Sequence, residues 1–136
     1  MDYKNLVLEA IRAKEGAYAP YSNFKVGAAV LTEDDKVFCG CNIENASFGA
    51  TNCAERTAIF KAVSEGHTKI KAIALIGSDK EYTYPCGICR QVMSEFGSKD
   101  LTVIIVKNEE EYIVKTLDEI LPGTFTKEDL DKNKEI

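Results

Sequence analysis

The stretch from Ile70 to Val106 constrains the fold more than any other part of this 136-residue chain. Ile70 to Gly77 is a compact apolar run, Cys86 to Phe96 has helical spacing and stops at Gly97, and Leu101 to Val106 is a second apolar run rich in β-branched residues. Strand, helix and strand in that order require a crossover connection. A crossover sets its two strands parallel, because parallel neighbours need a dozen or more connecting residues.

The rest of the chain builds outward from this unit. Leu6, Ala10, Ala13 and Ala17, flanked by Val7 and Ile11, recur at three- and four-residue steps and predict a helix ending near Gly16. Phe24 to Leu31 and Val37 to Ile43 are apolar-rich runs joined by Thr-Glu-Asp-Asp-Lys, a short polar turn that only antiparallel neighbours can use. From Cys53, the stripe Ala54, Thr57, Ala58, Ile59, Ala62 and Val63 predicts a helix that stops at Gly66. Tyr112 to Thr116 follows Val106 after only Lys-Asn-Glu-Glu-Glu, so this last strand returns antiparallel. The expected architecture is α/β: a mixed five-stranded sheet in a three-layer α/β/α arrangement, with residues 1–136 as a single domain. After Leu121 the tail is short and increasingly charged, with a frayed end expected.

Composition narrows the function classes. Hydrophobic residues make up 45% and charged residues 29% of the chain, ordinary for a globular protein, and no run approaches the roughly 20 apolar residues of a membrane span. The N-terminal MDYKNLVLEAIRAKEG lacks the apolar stretch of a secretory signal, which predicts a cytoplasmic protein. A net charge of −5 is opposite to the basic footprint of a nucleic-acid binder and favours a small partner molecule. Five cysteines are an odd number, and without an export signal they point to thiols or metal ligands before disulfides.

Two segments concentrate the chemistry: Asn52-Cys-Ala-Glu-Arg56 and Pro85-Cys-Gly-Ile-Cys-Arg90. Each places a thiol at a helix start, where free backbone N–H groups and the positive end of the dipole favour the thiolate that binds zinc. Three protein ligands leave a coordination position open to water, whereas four close the site. Cys53, Cys86 and Cys89 supply three. Glu55 stands two residues past the first, close enough to turn beside the metal without binding it.

With these residues in view, the chain resembles the homotetrameric, three-cysteine zinc cytidine deaminase family. The resemblance spans Tyr18-Ala-Pro-Tyr-Ser-Asn-Phe-Lys-Val-Gly-Ala-Ala29, Gly40-Cys-Asn-Ile-Glu-Asn-Ala46, both cysteine segments and Leu121-Pro-Gly-Thr-Phe125. It implies one zinc(II) per chain on Cys53, Cys86 and Cys89, hydrolysis of cytidine and 2′-deoxycytidine with release of ammonia, water activated from a pKa of about 15.7 toward about 7 as nucleophile, and Glu55 as the proton carrier. It further implies that Asn42 and Glu44 hold the sugar hydroxyls, Phe24 packs on the pyrimidine and the Ala54 backbone meets the base edge. Phe125 would form an aromatic wall in a neighbouring subunit's site, making the assembly a homotetramer with shared sites. Phe48, where many relatives have Tyr, and Tyr84, where a small hydroxyl residue is more usual, depart from the pattern and bear on substrate range.

Three thiolates on a divalent ion leave a net charge near minus one, which weakens the metal as a Lewis acid. Arg56, three residues past Cys53, and Arg90, next to Cys89, are candidates to donate hydrogen bonds to the sulfurs. Other readings of the same residues remain. Cys39 or Cys41 as a fourth ligand would make the zinc structural, although both also suit the role of small buried hydrophobes. Cys86-Gly-Ile-Cys89 alone fits a redox motif, but leaves Cys53 and Glu55 unaccounted for. Antibiotic-nucleoside deaminases of the blasticidin type share the three-cysteine site, and the Asn-Ile-Glu-Asn segment argues for an ordinary nucleoside instead.

Overall fold

A computed structural model describes residues 3–134 of the chain. Helix α1 is Tyr3–Lys14, and strands β1 (Gly27–Thr32) and β2 (Val37–Cys41) form the expected hairpin. Helix α2 (Ala54–Ser64) leads to β3 (Ile70–Ile76), α3 (Gly87–Phe96), β4 (Thr102–Val106) and β5 (Tyr112–Thr116). The strands lie in the order β2-β1-β3-β4-β5, and only β3 and β4 run parallel. The crossover through α3 accounts for that parallel pair.

Alternation along the strands divides the interior into two layers. Ala28, Val30, Ile73, Leu75, Val103 and Ile105 face α2 and α3, where they pack with Ala58, Ile59, Cys89 and Met93. Ala29, Ala72, Ala74, Ile76, Ile104 and Val106 point the other way, toward Leu6, Val7 and Ala10 of α1. The period of two along each strand makes this separation. Side chains on the α1 face of β1 and β3 are mostly alanine, so α1 approaches closely, and a Cβ on Gly27 would sit 2.2 Å from the Ala10 carbonyl oxygen.

Several boundaries differ from the sequence reading. The first strand begins at Gly27, not Phe24, and the second ends at Cys41, not Ile43. There the ladder gives way to side-chain bonds: the Asn42 amide accepts from Val26 N–H (2.8 Å) and donates to the Phe24 carbonyl (2.8 Å). Beyond β5 the chain forms two unanticipated helices, α4 (Leu117–Ile120) and α5 (Lys127–Lys134). A reciprocal cap starts α4, with Glu119 N–H donating to the Thr116 hydroxyl and Thr116 N–H to the Glu119 carboxylate. The frayed end expected of the tail, residues 135 and 136, lies outside the described residues.

Register places one edge of the sheet at the site. Gly27 pairs with both Cys41 and Ile76, so the C-terminal ends of β2 and β3 flank the start of β1 at the same end of the sheet. The loops leaving these ends deliver the start of α2 and the start of α3 to the same place.

Candidate metal centre and active site

Both helix starts end in a thiol. Cys53 is the residue before α2, in extended conformation with φ −76° and ψ 156°. Cys86 holds the same place before α3, with φ −71° and ψ 168°, and Cys89 lies one turn on. Neither Cys53 nor Cys86 uses its side chain to cap its helix, so both sulfurs are free to turn toward each other. The three Sγ atoms lie within 4.8 Å of one another, Cys53 to Cys86 at 3.8 Å and Cys86 to Cys89 at 3.4 Å. Tetrahedral zinc with Zn–S near 2.3 Å sets its sulfurs about 3.8 Å apart, so these thiols fit that ion with small adjustments. Cys39 and Cys41 are not in the cluster.

The electrostatics favour thiolate. The Cys53 thiol is pulled down to about 5, chiefly by the hydrogen bond from Cys89, then by the guanidinium of Arg56 and by Cys86. Arg56 Nη2 donates to Cys53 Sγ at 3.3 Å. Cys89 is pushed up because it keeps the proton shared with Cys53 and is itself buried.

Glu55, in the first turn of α2, is 4% exposed. Burial pushes its carboxyl up to about 7, and the negative Cys53 adds to that rise. A carboxyl that changes protonation near neutrality, set against a cluster of thiols, can accept and return a proton. Ala54, between Cys53 and Glu55, is fully buried.

The residues expected to meet a nucleoside surround this edge. Phe24 follows Asn23, whose φ of 58° is a left-handed turn that Asn tolerates. Its ring runs beside Gly77, where a Cβ would lie 2.7 Å from Phe24 Cζ, so glycine at the end of β3 makes room for the ring. Asn42 is buried at 9% exposure, and its amide locks Phe24 and Val26. Glu44 accepts from Tyr21 N–H (2.9 Å), Ser22 N–H (3.0 Å) and the Ser22 hydroxyl, which hold its carboxyl below the usual carboxylate range, the hydroxyl most of all. A hollow of about 350 Å³ lined by Tyr21, Ser22, Glu44, Asn45, Phe48 and Thr51 opens there. A larger one of about 740 Å³ lies at the opposite end of the sheet, and none of the expected site residues lines it.

Arg90 and Arg56 take different places. Arg56 reaches sulfur, whereas the Arg90 guanidinium donates to carbonyls, Nε to Pro85 at 2.8 Å and Nη1 to Ile120 at 2.6 Å. Phe125 is 56% exposed, and its carbonyl accepts from Gln91 Nε2 at 2.8 Å. Tyr21, Ser22, Gly77 and Gln91 were not singled out by the sequence. Ser22 and Gly77 lie in Tyr-Ser-Asn and Ile-Gly-Ser, turn-forming stretches whose residues gave no sign of which partner they would meet.

Fold and site together define a zinc protein of the catalytic type, with a three-thiolate centre and a buried carboxylic acid beside it. A family model for the cytidine and deoxycytidylate deaminase zinc-binding region matches residues 1–112. The cytidine deaminase of Halalkalibacterium halodurans is 52% identical over 130 residues, 96% of this chain and 98% of that protein. That of Sporosarcina psychrophila is 47% identical over 96% of each chain. The crystal structure of the cytidine deaminase from Burkholderia pseudomallei superimposes with a TM-score of 0.87 at 48% identity, covering 92% of this chain and 100% of that one. The chain belongs to the zinc-binding cytidine and deoxycytidylate deaminase family.

Proposed function

We propose that the protein hydrolyses cytidine and 2′-deoxycytidine to uridine and 2′-deoxyuridine, releasing ammonia, and that residues 1–136 work as one deaminase domain. The observation that carries this reading is the buried Glu55 carboxyl beside Cys53, Cys86 and Cys89. These three thiolates would hold one zinc, which when bound supplies the Lewis acidity that makes water nucleophilic at neutral pH. Glu55 takes a proton from the attacking water and returns it to the ring nitrogen next to the amine-bearing carbon. A second transfer through the same carboxyl protonates the amine, which leaves as ammonia.

Substrate contacts follow from the same edge. Phe24, held by the Asn42 amide, offers its ring to the pyrimidine, and the Ala54 backbone offers hydrogen bonds to the base edge. Asn42 and Glu44 lie two apart past the end of β2 and are read as the groups that meet the sugar. Arg56 offsets the excess negative charge of three thiolates. The half-exposed Phe125 ring is read as a wall of a neighbouring copy's site in a homotetramer.

The partner is a small nucleoside, with neither nucleic acid nor membrane, and the location cytoplasmic. A net charge of −5 supports the first point, and among the described residues no helix is long and apolar enough to cross a membrane. The deciding experiment measures zinc per chain and loss of cytidine ultraviolet absorbance for the native protein and Glu55→Gln. One zinc in each with turnover only in the native form is the expected result. Zinc without turnover in the native form overturns the choice of substrate, and full turnover in Glu55→Gln overturns the proton carrier.

A further inference from the structure

The segment from Leu121 to Phe125 has no regular structure, yet it carries the half-exposed ring read above as a wall of a neighbouring copy's active site. Within itself it is closed by the Thr124 hydroxyl donating to the Leu121 carbonyl, with Gly123 in a left-handed turn at φ 66°. From outside, among the described residues, side-chain bonds reach its two ends from consecutive positions on α3. Arg90 Nη1 donates to the Ile120 carbonyl at 2.6 Å, just before the segment begins. Gln91 Nε2 donates to the Phe125 carbonyl at 2.8 Å and lies 3.3 Å from Ser94 Oγ. The amide orientation follows from chemistry, since a flipped Gln91 would set oxygen against the Phe125 carbonyl oxygen.

The same Arg90 guanidinium also grips the other side. Its Nε donates to the Pro85 carbonyl at 2.8 Å, one residue before Cys86, while Arg90 N–H bonds the Cys86 carbonyl at 3.0 Å within α3. Arg90 is half-buried, and both guanidinium bonds are charge-assisted, the kind that holds geometry best. One side chain thus joins the loop that presents Cys86 to the loop that presents Phe125.

We infer that Arg90 and Gln91 are positioning residues that fix the Leu121–Phe125 segment to the metal-bearing helix α3, so that the Phe125 wall offered to a neighbouring copy's site is presented from a fixed place beside this chain's own metal centre. The pair divides the work. Gln91 sets the backbone of Phe125 itself, and Arg90 sets the root of the segment together with the approach to Cys86. Neither is a catalytic residue, because neither is assigned a contact with substrate. The inference rests on the reading of Phe125 as part of a nucleoside site, and it separates from that reading by measurement.

Gln91→Met keeps length and helix preference while deleting the donor. Hydrogen exchange of the backbone amides at 121–126 should quicken about threefold to tenfold in this variant, the range governed by one neutral hydrogen bond. For cytidine, KM should rise by a similar factor while kcat stays within about twofold and zinc remains at one per chain. A cycle with Phe125→Leu decides the route: if Gln91 acts through Phe125, the double variant loses no more than Phe125→Leu alone. Unchanged exchange at 121–126, or losses that multiply, overturn the inference. Arg90→Met should free the segment further and also lower zinc content, and if it fails to fold, Gln91→Met still decides. A native protein that does not turn over cytidine defeats the deaminase reading, while the exchange measurement still tests whether Gln91 holds the segment.

Discussion

Arg56 Nη2 lies 3.3 Å from Cys53 Sγ, and Nε of the same guanidinium is buried with no partner among the described residues. An Arg with one buried donor left unmatched is held for its charge and for the bond it does make. Loss of that charge should leave the thiolate cluster too negative to activate water well. Arg56→Ala should retain about one zinc per chain while kcat/KM falls about tenfold to a hundredfold, the usual cost of removing a group that hydrogen-bonds a metal ligand. Zinc determination after gel filtration, with turnover on the same sample, checks it. Unchanged turnover would remove Arg56 from the mechanism.

Metal should matter to stability as well as to chemistry. Without the ion, two helix starts bring three sulfurs within 4.8 Å, a contact that only a shared proton or a cation makes favourable. A ligand that binds only the folded chain at about a thousand times its Kd stabilises by about 4 kcal/mol. Stripping zinc with a chelator should therefore lower Tm by on the order of 10 °C in a chain of this size. Adding zinc back should restore Tm in the native protein and not in Cys86→Ala. A Tm unmoved by chelation would mean that the thiols hold no structural energy.

Much of this was readable beforehand because it depends on local pattern. The parallel pair β3 and β4 follows from an apolar run, a helix and another apolar run, and the thiols follow from their places before two helices. The two C-terminal helices were not legible for a physical reason: Thr116-Leu-Asp-Glu119 is a capping signature, but it starts a helix of only one turn. Lys127–Lys134 carries little apolar character, so no stripe marks it as a helix. Phe24 was read as strand because its side chain is apolar, whereas a non-local bond from Asn42 takes its carbonyl out of the ladder. Gln91 looked like any polar helix residue, since its partner lies 34 positions away.

Gly40 shows how tightly the site depends on packing. A Cβ there would lie 2.5 Å from Ala58 N, 2.7 Å from the Ala54 carbonyl oxygen and 2.9 Å from Thr57 Cβ. Two of these are backbone atoms of α2, which cannot move aside without carrying Cys53 and Glu55 with them. Gly40→Ala should cost about 1–3 kcal/mol or more and weaken zinc affinity in parallel. Gly49→Ala, with nothing within 4 Å of its new Cβ, is the matched control and should leave both unchanged. Thermal unfolding with a zinc competition assay reads both, and an undisturbed Gly40→Ala would mean that α2 is not seated on β2 as described.

Ser22 links a titratable group to the aromatic ring of the site. Its hydroxyl donates to the Glu44 carboxylate and accepts from Phe24 N–H at 3.0 Å. The bonds to Glu44 lower its pKa below the ordinary 4.5, the Ser22 hydroxyl first. A carboxyl depressed on folding stabilises the native state above its unfolded pKa, and that contribution fades as pH falls through the lower folded value. The Tyr21–Phe24 turn should thus stay ordered down to pH 4.5 and loosen only below it. Ser22→Ala removes the strongest cause, so the Glu44 midpoint should move up toward 4.5 and the turn should loosen at a correspondingly higher pH. Carboxyl chemical shifts of Glu44 across an acid titration, followed beside the Phe24 amide, test both parts. If the two report different midpoints in the native protein, Ser22 does not couple the acid to the ring; a common midpoint that rises in Ser22→Ala is the expected result.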